Sequence, residues 1–188
     1  MMEQRITVFD VETGGTDAMK HSILQVAIAV FENGKELDAI KLNIVHDEYS
    51  VTEVAMKINK IDLDNHKGFT PEEAVNKIIT FMAKYFDEPA QVCGHNVSFD
   101  VSFIKKMFQD VGENYDRIFS YRLLDTSAVA RFLIFMGVIP SGGSLGDLLT
   151  YFKVPHDKME LHDALVDCRV TYQLLLAMRS LFPEKVEG

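Results

Sequence analysis

The dipeptide Asn33-Gly34 sits between two apolar-rich runs, "ILQVAIAVF" (23–31) and "ELDAIKLNIV" (36–45), and constrains the fold more than any other local feature. Asn-Gly readily supplies the positive φ angles of a two-residue hairpin turn, so the flanking runs are expected to pair antiparallel. A third run, "RITVFD" (5–10), lies before the Gly14-Gly15 break, which predicts an antiparallel meander of three strands. Helical patterns follow. "TPEEAVNKIITFMAKYF" (70–86) opens with Thr70 as N-cap, Pro71 in the first turn and Glu73 three residues past the cap. "QVCGHN" (91–96) reads as a buried parallel strand leading into a helix over 98–110. Further helices are expected within 122–137, over 144–152 and over 163–180, with Gly142-Gly143 as an internal turn. Strands first, then strands alternating with helices, predict one α/β domain with a mixed sheet over residues 1–188.

A chain of 188 residues can bury a sizeable core without staples. Cys93 and Cys168 have no zinc-site spacing and read as reduced, buried thiols. No basic patch followed by an apolar run marks the N-terminus, and no uncharged stretch is long enough to span a bilayer. The expectation is a cytoplasmic protein with no membrane contact. A formal charge of -9 argues against a broad basic surface gripping duplex DNA. It leaves room for a nucleic-acid enzyme whose carboxylates hold cations, since the ions then attract phosphate.

The candidate chemistry lies in three acidic islands. In "VFDVETGG", Asp10 and Glu12 sit two apart at a strand end and leave the same face. Such a pair repels, and must be hydrated, paired or bound to a cation. In "GHNVSFDVSF", Asn96 can end the strand by local hydrogen bonding, and Asp100 follows one turn into a helix anchored by Phe99 and Phe103. Asp100 is either a solvated first-turn acid or an acid facing the sheet edge. His95 taken alone reads as a satisfied, partly buried histidine.

The third island is "HDALVDC" (162–168). On a helix Asp163 and Asp167 project about 40° apart, but His162 and Asp167 about 140° apart. If His162 and Asp167 serve one site, His162 must lie in the loop before the helix, with Asp163 as N-cap. Asp167 then stands among Leu165, Val166, Val170 and Leu174, where a carboxylate without a partner is costly. That favours Asp167 over Asp163 as the functional acid. Four acids and one histidine are an inventory for hard cations with oxygen ligands rather than for zinc.

These islands resemble the motifs of the DEDD exonucleases, in the histidine-bearing branch of the DnaQ-like, RNase H-like superfamily. "FDVETGG" is similar to the first motif, "HNVSFD" to the second and "HDALVD" to the third. The likeness covers nearly the whole chain. Asn59 departs from it, standing where many members have histidine, and Lys158 and Met159 stand near a common arginine position.

The resemblance implies an RNase H-like α/β fold with a central mixed five-stranded sheet, the meander plus parallel strands, flanked by helices. It implies a metal-dependent 3′→5′ exonuclease releasing nucleoside 5′-monophosphates with two Mg²⁺ or Mn²⁺ ions. Asp10 would bridge both ions, Glu12 and Asp167 would hold the one that activates water, and Asp100 would help hold the second. His162 would be the general base, a task suited to the side chain that changes charge near neutral pH. Backbone amides of Thr13, Gly14 and Gly15 could receive the terminal nucleotide, with Asn96 beside them. Phe99 and Phe103 are either core or a wedge against terminal bases. The expected substrate is the 3′ end of single-stranded or frayed DNA, with RNA as the alternative, for a monomer or homodimer that a polymerase or other replication or repair protein could carry. The competing readings are a silent polymerase-associated binding module and an unrelated metal phosphatase.

Overall fold

The computed structural model describes residues 5–157 and 161–182. Five strands form one mixed sheet in the order β3-β2-β1-β4-β5: β1 (Arg5–Thr13), β2 (Ile23–Glu32), β3 (Lys35–Asn43), β4 (Ala90–Gly94) and β5 (Phe119–Asp125). The first three are the antiparallel meander, and β4 and β5 add in parallel on the far side of β1. The hairpin turn has Asn33 and Gly34 at φ 52° and 82°, as a two-residue type I′ turn requires. Its Gly34 amide donates to the Tyr172 hydroxyl, and Tyr172 stacks on Phe31 with ring centroids 3.8 Å apart.

Six α-helices pack around the sheet: α1 (Glu53–Asn59), α2 (Pro71–Met82), α3 (Ser98–Asp110), α4 (Thr126–Phe135), α5 (Leu145–Tyr151) and α6 (Ala164–Arg179). The capping box expected at Thr70 and Glu73 is present with both reciprocal hydrogen bonds. On one face of the sheet Phe9, Val11, Val26, Ile28 and Val30 meet α2 and α3 through Ile78, Phe81, Ile104 and Phe108. On the other, Val8, Ala27 and Ala29 meet α6 through Ala164, Cys168 and Tyr172. β2 is therefore buried along almost its whole length. A third cluster joins α4, α5 and α6 through Leu133, Leu148, Leu149 and Leu174. Both cysteines are unpaired and buried. Among the described residues no helix is long and apolar enough to cross a membrane.

Candidate active site

The site begins where β1 outruns its neighbour. β4 pairs with β1 only at Thr7 and Val8 and stops at Gly94, two residues before Asn96 turns the chain with φ 60°. Beyond Val8 no strand among the described residues pairs with that side of β1. Asp100 takes the place of one: its Oδ1 accepts the Val11 N–H at 3.0 Å from a fully buried position on α3. Strand alternation puts Val8, Asp10 and Glu12 on the face covered by α6. There Asp167, buried one turn into α6, comes to meet them.

α6 is held at its start by three contacts. Asp163 is the N-cap, its Oδ1 accepting from the Leu165 and Val166 amides. Its other oxygen binds the Lys41 ammonium, and Gln25 Oε1 accepts the Ala164 amide at 3.1 Å. Burial would raise the Asp163 carboxyl, but Lys41 and the two helix amides outweigh it and hold the group below its ordinary value. His162 lies outside the helix at φ 74°, exposed, and its backbone N–H donates to Asp167 Oδ2 at 3.2 Å. Glu12, His162 and Asp167 each present a ligand atom, all within 4.8 Å of one another.

Asp163→Ala should therefore destabilise the fold by about 0.5–2 kcal/mol through the lost cap, with little added by the half-exposed Lys41 pair. Nucleotide release should be nearly retained. Chemical denaturation beside an activity assay checks this, and a large catalytic loss at Asp163 with none at Asp167 would reverse the roles given to the two acids.

The four acids crowd one another. Burial, then Asp100, Asp167 and Glu12, push the Asp10 carboxyl well above its usual range, although its edge still meets solvent. Burial, Asp167 and Asp100 push Glu12 up to about 8. Asp167 is raised to about 6 by burial, against the opposing pull of the His162 amide and ring. Asp100 is raised by burial despite its hydrogen bond from Val11. Among the described residues no lysine or arginine forms an ion pair with any of the four. Asp167 Oδ1 is buried with no hydrogen-bond partner among the described residues. An all-oxygen donor set, mutual repulsion and an orphaned carboxylate oxygen fit hard divalent cations.

Beside Glu12 a cleft of about 470 Å³ opens, lined by Thr13, Gly15, Thr16, Phe99, Asn59 and an α1 wall of Val54, Ala55 and Ile58. Its size falls within the roughly 300–1,000 Å³ of small-molecule sites. Val54 and Ile58 are 68% and 47% exposed, apolar side chains aimed at the cleft instead of a core. Sequence reading missed this wall; the Thr52 cap and the Val54, Ala55, Ile58 spacing were the available signal. Asn59, at the position noted for its departure from histidine, is buried and structural. Its Nδ2 donates to the Thr13 carbonyl and its Oδ1 accepts the Ile61 amide.

One expectation needs correcting. The Gly14 amide already donates to the Ser22 carbonyl at 2.8 Å, so it is not available to a ligand. Gly14 is glycine because a Cβ would lie 2.4 Å from the Ser50 carbonyl oxygen, and Gly15 because one would strike the His21 ring. Phe103 is core, 2% exposed, with only Phe99 of the pair on the cleft. Asn96 is exposed, and its backbone N–H donates to Asp125, which also caps α4. His95 is satisfied as expected, between Thr126 and the Gly143 carbonyl. Lys158 and Met159 lie outside the described residues.

Comparison with known proteins adds an independent line. A family model described as "Exonuclease", of RNase T type, matches residues 7–175. Ribonuclease T of Actinobacillus pleuropneumoniae is 25% identical over 183 residues, covering 91% of this chain and 81% of that protein. The PolC-type DNA polymerase III of Mycoplasmopsis pulmonis is 25% identical over 187 residues, 98% of this chain but 12% of the polymerase. In structure, the E. coli exonuclease I–ssDNA complex with bound zinc superposes at a TM-score of 0.83 and 18% identity, covering 97% of this chain and 42% of exonuclease I. The likeness to exonuclease I is one of fold, and it extends to the five-stranded sheet and its helices. The chain thus spans most of the ribonuclease but less than half of exonuclease I and a small part of the polymerase.

Proposed function

The chain belongs to the RNase T-type exonuclease family, and from that premise we propose that it removes nucleotides one at a time from the 3′ end of single-stranded or frayed DNA, releasing 5′-monophosphates. One observation carries the reading. Asp10 and Glu12 from β1, Asp100 from α3 and Asp167 from α6 crowd together with no lysine or arginine paired to them among the described residues, and Glu12 also lines a cleft sized for one nucleoside.

The four carboxylates would hold Mg²⁺ or Mn²⁺, two ions by family resemblance. Bound there, the ions would neutralise phosphate charge and make a coordinated water nucleophilic at neutral pH. The chain's own residues do the rest. Phe99 and the Val54–Ile58 wall offer the terminal base an apolar seat, while Thr13, Gly15 and Asn59 line its sugar side. Asn59 fixes the end of β1 through the Thr13 carbonyl, which holds Glu12 in register with the cleft. His162, outside the helix and exposed, would accept a proton from the attacking water on a ring nitrogen. Its backbone N–H meanwhile orients Asp167.

His162→Ala should slow hydrolysis by about 10²–10⁴-fold, the usual worth of a positioned base. Metal affinity should persist, since four carboxylates remain; an equal loss of metal binding would make His162 a ligand instead. The overall reading is tested by release from 3′-labelled single-stranded DNA, mismatched duplex DNA and RNA, with Mg²⁺, Mn²⁺ or chelator. Ion-dependent release of mononucleotides from single-stranded DNA supports it. Hydrolysis of simple phosphomonoesters with no preference for polymer ends refutes it, as does no release with Mn²⁺ present. RNA as the preferred polymer is the second reading. It is favoured by ribonuclease T being a relative that the chain spans over most of its length. A partner polymerase is a further reading, resting on the PolC-type relatives. We also propose that residues 1–188 form a single exonuclease domain.

A further inference from the structure

A second groove lies on the opposite face of the sheet from the acids, between the outer edge of β3 and helix α2. It encloses about 590 Å³ and is lined by Ile40, Leu42, Phe69 and Phe81 with Asn76 and Thr80, and by Lys41, Lys77 and Lys84. No acid lines it and the Lys77 and Lys84 ammonium groups lie over it, on a chain where Asp and Glu outnumber Lys and Arg 28 to 19; Lys41 contributes its backbone, since its ammonium turns to the far face and pairs with Asp163. Lys77 rests its ammonium 4.4 Å over the Phe69 ring and forms no ion pair among the described residues. Lys84 lies over Phe81 and reaches Asp38 only at 3.9 Å.

The groove also offers a backbone. β3 is the edge strand of the sheet. The Ile44 amide donates to the Leu24 carbonyl, so the antiparallel alternation turns the N–H and C=O of Leu42 and Ile40 towards β2. Those of Asn43, Lys41 and Ala39 turn outward. The chain uses part of this edge: the Phe69 amide donates to the Asn43 carbonyl, starting a parallel bridge that extends no further. At the other end the Ala39 amide is covered by the Asp38 carboxylate, itself held by the Tyr85 hydroxyl. Between these stops the Lys41 peptide groups and the Ala39 carbonyl remain, an opening of about four residues or roughly 13 Å at strand spacing.

We propose that this groove binds a short extended peptide from a partner protein, added as a strand to the β3 edge, whose groove-facing positions, every second residue, carry both apolar and acidic side chains. Its apolar side chains enter between Ile40, Leu42, Phe69 and Phe81, its backbone pairs with Lys41, and its carboxylates meet Lys77 and Lys84. Edge strands accept such segments through main-chain hydrogen bonds, with pockets for alternate side chains supplying selectivity. A nucleic-acid strand is the less suitable occupant, because the polymer leading to the acids would have to cross the sheet edge to reach this face.

Fluorescence polarisation with a short labelled peptide that carries leucine and aspartate by turns at every second residue, with serine between them, tests the proposal on the whole chain. Saturable binding is expected, together with amide shifts at Lys41 and Lys77 by NMR. The double variant Lys77→Glu/Lys84→Glu should weaken it by about ten-fold or more through reversed charge, with nucleotide release unchanged. A probe with proline at its central position should bind poorly, since it interrupts the strand. Absence of binding, equal binding of a leucine–lysine probe, unaltered affinity in the double variant, or displacement of the peptide by oligo-dT would each overturn it. Because release is read in the same preparations, failure here is distinguishable from failure of the exonuclease reading.

Discussion

Replacing Asp167 by asparagine is expected to abolish nucleotide release and to raise the melting temperature of the metal-free protein. The two effects have one cause. Asp167 Oδ1 is buried with no hydrogen-bond partner among the described residues and its carboxyl is raised to about 6, so at neutral pH the fold holds a charge that burial disfavours. Removing that charge relieves on the order of a few kcal/mol, at about 1.4 kcal/mol per pKa unit. Asparagine can keep the hydrogen bond from the His162 amide and present its own NH₂ to the surrounding carboxylates. Activity should nonetheless fall by more than the roughly 10–100-fold that even an outer-shell partner of a metal site is worth. Asp10→Ala should abolish release equally. Thermal melts in chelator beside the release assay decide the matter. An inactive but destabilised Asp167→Asn would point to a structural role, and an active one would remove Asp167 from the site.

The division between Asp163 and Asp167 was legible because it depends only on local geometry. A histidine about 140° from its partner acid on a helix cannot share a site with it unless it leaves the helix, and His162 does so at φ 74°. The Asn33-Gly34 turn and the Thr70 capping box were legible for the same reason. What local pattern could not supply was anything set by distant pairing. β5 is half-exposed and lacks a clean apolar alternation, so "FSYRLLD" did not declare itself as a strand. Asp100 answering the Val11 amide depends on β4 ending early beside β1, across 89 residues of sequence. Gly14 was assigned to a ligand because the chain that fills the space beside it, at Ser50, lies far along the sequence. The cleft wall was missed because Val54 and Ile58 serve no core, and exposed apolar residues give periodicity without saying what they face.

The metal-free protein is expected to lose stability as pH rises from about 4 to 8, and divalent ions are expected to restore most of it at the upper end. Glu12 is raised from its ordinary 4.5 to about 8 and Asp167 from 3.8 to about 6, with Asp10 and Asp100 also raised. Across that window the folded state binds more protons than the unfolded one, so unfolding free energy falls with increasing pH. The stabilising contribution of these protonated groups is complete below the unfolded values and gone once pH passes the folded ones. Asp163 and Glu36 run the other way, being held below their ordinary values by Lys41 and Arg169, and protect the fold only above about pH 4. Metal-free stability should therefore peak near the acid end of the window. Cations compete with protons for the same oxygens, so Mg²⁺ or Mn²⁺ should stabilise little at pH 5 and strongly at pH 8. At a hundred times the dissociation constant the gain is about 2.7 kcal/mol, or roughly 5–10 °C in a domain of this size. Melts at both pH values, in chelator and in Mn²⁺, read this directly. A flat metal-free profile, or an ion shift that survives intact in an Asp10→Asn/Asp167→Asn double variant, would mean that the four carboxylates are not where the ions bind.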